Sequence, residues 1–101
     1  MTYRFRVAPG AESQIRDAAN WWIENRPKAP EAFAEDLERA FAIISSLPGT
    51  GEPVFHSRLK GLRRLVMGRV RYHLYYHVDE ERETVEVLAL WHTSRGTTPP
   101  V

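Results

Sequence analysis

Residues 58–92, RLKGLRRLVMGRVRYHLYYHVDEERETVEVLALWH, decide the fold. Within them, residues 69–78 alternate strictly: Val70, Tyr72, Leu74, Tyr76 and Val78 fall on one face, and Arg69, Arg71, His73, Tyr75 and His77 on the other. Successive side chains of a strand point to opposite faces, so this predicts a strand with one buried face and one wet face. The wet face carries two guanidiniums, two imidazoles and a phenol in one row, which marks it as the candidate working surface. The charged run 79–83, DEERE, suits an exposed hairpin connection. Residues 84–92 return as a strand. Val85, Val87, Ala89 and Trp91 share one face; Thr84, Glu86, Leu88, Leu90 and His92 share the other, and both become apolar towards the end. Residues 62–67 form a shorter strand that ends at Gly68.

Working outward, the N-terminal side supplies one more strand and two helices. Tyr3, Phe5 and Val7 alternate with Arg4 and Arg6. Pro9 then opens a helix, behind a cap residue, Ala8, that has no side-chain acceptor. Ala11, Ile15, Ala18, Ala19, Trp22 and Ile23 make its apolar stripe, and Trp21 lies off it as a flank residue. Pro27 stops this helix, and Pro30 marks the start of a second, whose stripe is Phe33, Leu37, Ala40, Phe41, Ile44 and Leu47. The short connection makes the two helices an antiparallel hairpin. A glycine-rich loop covers residues 49–61, with Val54 and Phe55 expected to pin it to the core. The order strand, helix, helix, strand, strand, strand gives an α+β domain. A helical hairpin packs on one face of a small, mainly antiparallel sheet, and the other face is open. Residues 1–95 form the single domain; the tail 96–101, GTTPPV, is extended or mobile.

Composition narrows the function classes. A chain of 101 residues is one domain that can bury its own core. There is no cysteine, hence no disulfide framework and no thiol nucleophile, which fits a cytoplasmic setting. No apolar run suggests a signal peptide or a membrane span. The net charge of +1 is unevenly spread. Between His56 and His73 six bases (Arg58, Lys60, Arg63, Arg64, Arg69, Arg71) meet no acid, whereas residues 11–46 carry seven acids against four bases. Such a basic patch suits an anionic partner.

The ordered set of Pro9-x-Ala11-x-x-x-Ile15, Pro48-Gly49-Thr50-Gly51-Glu52-Pro53, Leu62-Arg63-Arg64-Leu65, Gly68-Arg69-Val70-Arg71-Tyr72 and the closing strand 85–92 resembles the RelE/ParE superfamily of toxins from type II toxin–antitoxin systems. The resemblance spans residues 3 to about 95 and rests on the set rather than on any one motif. It implies a toxin neutralised by a small cognate antitoxin, with no cofactor. RelE-like members cut mRNA on the ribosome without a metal; ParE-like members inhibit DNA gyrase. Some nuclease members have a longer C-terminal helix with a catalytic tyrosine. This chain stops soon after His92, so the resemblance leans to the ParE-like side. A gyrase inhibitor is the first reading, a ribosome-dependent endoribonuclease the second, and a non-toxic binding module of the same fold the third. Self-association is left open.

A metal-free nuclease needs a base, an acid and cations over the phosphate. Arg71, His73, His92 and Arg95 are the candidates for those roles. Arg58, Lys60, Arg63, Arg64, Arg69, Arg71 and Tyr75 are the candidates for binding a partner or nucleic acid, with an acidic antitoxin segment foremost. No metal site is expected: on a strand His73 and His77 stand about 13 Å apart at roughly 3.3 Å per residue. Ser94 near His92 lacks a nucleophile-elbow motif, and Gly49-Thr50-Gly51-Glu52-Pro53 lacks the lysine and helix of a phosphate-binding loop.

Overall fold

The computed structural model describes residues 2–101; Met1, counted in the expected domain, lies outside the described residues. The elements are β1 (Arg4–Val7), α1 (Pro9–Asn25), α2 (Ala32–Ser46), a 3₁₀ turn at Pro48–Thr50, β2 (Glu52–Pro53), β3 (Leu62–Met67), β4 (Tyr72–Asp79) and β5 (Thr84–His92). They form one sheet in the order β1-β5-β4-β3-β2. The strands β2 to β5 pair antiparallel with their neighbours, while β1 runs parallel to β5. The α+β architecture expected from the sequence is therefore present, with the short edge strand β2 added inside the expected loop. No helix of the described residues is long and apolar enough to cross a membrane.

Helix α1 begins at Pro9 with Ala8 as an unaided cap, and α2 begins at Ala32, two residues past Pro30, with Glu31 as its cap. Their apolar stripes pack on one face of the sheet. Ala11, Ala18, Phe33, Ala40 and Ile44 join Leu74, Tyr76, Val78, Val85, Val87 and Leu90 in the main core. Two stripe assignments need correction. Ile23 is 58% exposed, because at 3.6 residues per turn it lies roughly 100° from the stripe's centre. Leu47 is 66% exposed, because it is the C-cap residue, at φ −132°, and has left the helical path. Past the end of β1, Gln14 of α1 completes the ladder: the Leu90 N–H donates to its Oε1 at 2.9 Å.

The strands depart from strict alternation in two places. The segment 68–71 is a turn, so the expected strand over residues 69–78 begins only at Tyr72 and runs to Asp79. In β5, Tyr75 faces Ala89 and Tyr76 faces Val87, leaving Leu88 as a bulge. The bulge reverses the later half of β5. Val85, Val87 and Leu90 face the helices, while Ala89 and Trp91 turn to the opposite face. The single-face reading of Val85, Val87, Ala89 and Trp91 is corrected accordingly.

That opposite face is only partly open. Leu62, Tyr75 and Ala89 form a second buried cluster, covered by Val54, Leu59, Leu88 and Trp91. The loop before β3 therefore acts as a lid over half of this face. The Val54 N–H donates to the Leu62 carbonyl at 2.9 Å and continues the β2–β3 ladder. Alternation then points Val54 inwards and Phe55 outwards, where Phe55 is 92% exposed; it does not pin the loop. The loop is anchored instead through Tyr76. Its hydroxyl donates to the Pro48 carbonyl at 2.7 Å and accepts from the Gly51 N–H at 2.8 Å.

Candidate functional site

The β3–β4 turn presents the first candidate residues, and α2 fixes it. Asp36 lies on the buried side of α2, and its Oδ2 accepts from the Val70 N–H at 3.2 Å while its Oδ1 accepts from Arg39 at 2.8 Å. Beside it Glu35 pairs with Arg69 at 3.2 Å. Inside the turn Arg71 adopts φ 62°, the left-handed region that L-residues other than asparagine and aspartate seldom enter. Its N–H donates to the Met67 carbonyl at 2.7 Å, and its own carbonyl accepts from the Thr93 N–H at 2.9 Å. The turn is thereby tied to the end of β5.

At that end the structure gathers Arg71, His92 and Arg95. A cleft between α1 and the sheet has two lobes that share Trp21, Tyr72 and His92. One, of about 260 Å³, is also lined by Asp17 and Arg95; the other, of about 230 Å³, by Arg26, Arg69 and Arg71. Tyr72 meets His92 edge-on at 4.9 Å and Phe33 at 5.7 Å. Burial raises the Tyr72 pKa above 10.0, and the nearby Arg95 charge partly offsets this. Arg95 lies over the Trp91 ring at 4.1 Å, and Trp91 donates to the Thr97 carbonyl at 2.9 Å. The His92 Nδ1 stands 2.7 Å from Ser94 Oγ and accepts from the Ser94 N–H at 3.1 Å. Nδ1 is thus an acceptor, which leaves the ring N–H on Nε2.

His73 belongs to a different surface. It pairs with Trp91 and Val66 across the sheet, whereas Tyr72 pairs with His92, so alternation sends the two imidazoles to opposite faces. On the face away from the helices His73 lies edge-on to Tyr75 at 6.1 Å. Arg64 bonds the Tyr75 hydroxyl at 3.4 Å and pairs with Glu52 at 3.3 Å. Desolvation lowers the His73 pKa below 6.5; Arg64 lowers it further, and Glu52 opposes both. The unfolded chain therefore binds more protons than the folded one as pH falls through 6.5, so this group contributes stability above that pH that is lost in acid. The expected result is that His73→Gln narrows the loss of thermal midpoint between pH 7.5 and pH 5.5. An unchanged loss in that comparison would show that His73 is not desolvated.

The expected basic patch is spread over several surfaces. Arg58 and Lys60 are exposed on the loop before β3. Arg63 donates to the Gly51 carbonyl at 2.6 Å on the helix side, while Arg64 lies on the other face. Arg69 and Arg71 belong to the turn. Tyr75, expected on the wet face, is 2% exposed beneath the loop lid. The row of Arg69, Arg71, His73, Tyr75 and His77 is therefore not one wet face, because its first two members precede the strand and Tyr75 is covered. Tyr72, Asp17 and Asp36 are not among the sequence candidates, and Trp21, off the apolar stripe of α1, reads from sequence as a flank residue first and a partner anchor second. Asp36 had a signal: an acid between Phe33 and Ala40, on the inward side of an apolar stripe. Among the described residues no three His, Asp or Glu side chains converge as metal donors.

Comparison with known proteins bears on this geometry. The family model described as ParE toxin of type II toxin–antitoxin system, parDE, matches residues 5–96. Among curated proteins, none matches the chain. Solved structures do. The toxin–antitoxin complex RelBE2 from Mycobacterium tuberculosis contains a chain 25% identical, with TM-score 0.66, covering 94% of this chain and 95% of that one. The chromosomal ParDE system from P. aeruginosa gives TM-score 0.71 at 12% identity, covering 92% and 98%. The archaeal RelE–RelB complex from Pyrococcus horikoshii gives TM-score 0.65 at 20% identity, covering 95% and 100%. At their low identities the last two speak for the fold alone.

Proposed function

The chain belongs to the family of ParE toxins of type II toxin–antitoxin systems, and from that premise we propose that it arrests growth in the cytoplasm by inhibiting DNA gyrase until a cognate antitoxin neutralises it. The family match supports the ParE-like reading, for which gyrase is the expected target, and the similar RelBE2 toxin–antitoxin complex supports the antitoxin partner. One observation weighs against RNA cleavage as the activity: the two candidate imidazoles lie on opposite faces of the sheet. A base and an acid acting on one phosphate must both reach it. The second reading, an endoribonuclease, draws on Arg64 and the desolvated His73 beside Tyr75, a cation and a neutral imidazole on one face. Induced expression without antitoxin tests the choice. The expected outcome is relaxed plasmid DNA with intact transcripts; cleaved transcripts with normal supercoiling would replace the proposal by the second reading.

For the antitoxin, Arg58 and Lys60 are the cations to test, since both are exposed and neither makes an ion pair among the described residues. Arg63 and Arg64 are less suitable, because they also hold the loop lid. Reversing Arg58 and Lys60 to glutamate is expected to slow antitoxin association about tenfold at low salt, with the difference shrinking as salt rises. Equal association rates in stopped-flow at low salt would place the antitoxin elsewhere.

A further inference from the structure

We propose that the cleft at the end of the sheet is a nucleotide site, taking an aromatic base in the lobe beside Asp17 and a phosphate in the lobe beside Arg71. The inference goes beyond the toxin reading and does not depend on which target the toxin has.

The two lobes differ in charge. Arg26, Arg69 and Arg71 line one of them without any carboxylate, so that lobe favours an anion. Asp17 and Arg95 line the other, so it carries no net positive charge to draw a phosphate, and the Asp17 carboxylate gives the amino group of a base an acceptor. The cations of the anionic lobe are not equivalent. Arg69 is paired with Glu35, and Arg26 lies over Trp21 at 5.0 Å. Arg71 has no ion-pair partner among the described residues. The walls that the lobes share are aromatic: Trp21, 45% exposed, with Tyr72 and His92. Such rings give a base a stacking surface. With Nδ1 engaged by Ser94, the His92 ring has its Nε2–H left for a ligand, a donor suited to phosphate oxygen. The Tyr72 hydroxyl makes no hydrogen bond to the described residues and remains available to a ligand. Taken together the lobes fall within the roughly 300–1,000 Å³ of small-molecule sites.

The backbone of Arg71 points the same way. At φ 62° glycine would be the less costly residue. The arginine accepts that cost with no intramolecular ion pair to offset it, which is the pattern of a side chain placed for a ligand. Stability and binding should therefore respond oppositely to one substitution. Arg71→Gly relieves the backbone and removes the cation.

Isothermal titration of the purified chain with 5′-GMP, guanosine and a 5′-phosphorylated trinucleotide beginning with G tests the proposal. Saturable binding of GMP is expected, with guanosine at least about tenfold weaker. Arg71→Gly should weaken GMP binding by at least about tenfold while leaving the thermal midpoint equal or higher. A trinucleotide bound at least tenfold tighter than GMP would identify the ligand as a strand end; equal affinity would identify a free nucleotide, and both support the site. No saturable binding of either phosphorylated probe would overturn it, as would Arg71→Gly binding GMP like the parent chain. A hexaglutamate peptide that matches GMP in affinity and in sensitivity to Arg71→Gly would also overturn it, by showing an anionic groove without base recognition.

Discussion

Replacing Phe33 by alanine is expected to destabilise the domain by about 3–5 kcal/mol. Phe33 is 2% exposed, enters the core from the first turn of α2, and packs edge-on against Tyr72 at 5.7 Å. Truncation removes a buried ring and leaves a cavity that α2 cannot close, because the hydrogen bond from Val70 to Asp36 holds the helix to the β3–β4 turn. A loss of this size is a large fraction of the 5–15 kcal/mol that stabilises an ordinary domain. It should lower the thermal midpoint by at least about 12 °C. Phe33→Leu, which keeps most of the volume, should lose much less. If urea unfolding showed Phe33→Ala within about 0.5 kcal/mol of the parent chain, the packing of α2 on the sheet would be misassigned.

Gly51→Ala is expected to cost about 3 kcal/mol, although only one methyl group is added. A Cβ at this position would collide with the hydroxyl and ring of Tyr76, and would stand 2.9 Å from the Arg64 carbonyl. Tyr76 is fully buried, so its ring cannot swing away into solvent. Moving it would break the bonds of its hydroxyl to the Gly51 N–H and the Pro48 carbonyl, the two contacts that fix the loop lid. The Arg64 carbonyl belongs to β3 and is held by the sheet. Gly49→Ala is the control, since nothing lies within 4 Å of a Cβ there. Equal stabilities for the two variants by denaturant unfolding would show that Tyr76 does not anchor the loop.

The parts of this fold that were legible in the sequence are those set by local periodicity. Phe33, Ala40 and Ile44 are buried where the helical period puts them, and Leu74, Tyr76 and Val78 where the strand period does. The exceptions lie where a local pattern is overruled by something distant. Val85, Val87, Ala89 and Trp91 alternate without a flaw, yet pairing with β4 inserts a bulge at Leu88 and turns the last two over. Arg69 to Tyr72 also alternates, but Gly68 and the hydrogen bond from the Val70 N–H to Asp36 make the start of that run a turn. Arg71, His92 and Arg95 were recognisable by chemistry alone. Their convergence with Trp21 and Asp17 was not, since it depends on α1 lying against β5 across some seventy residues of chain. His73 was grouped with them by residue type, and only the register of β4 on β5 separates them.

Purified toxin added to DNA gyrase and relaxed plasmid is the most direct test of the proposed function, with ribosome-bound mRNA run in parallel. The expected result is loss of supercoiled product in proportion to toxin, restored by the cognate antitoxin, while the mRNA stays intact. The contrary result is undiminished supercoiling together with cut mRNA, the cutting abolished by His92→Ala or His73→Ala.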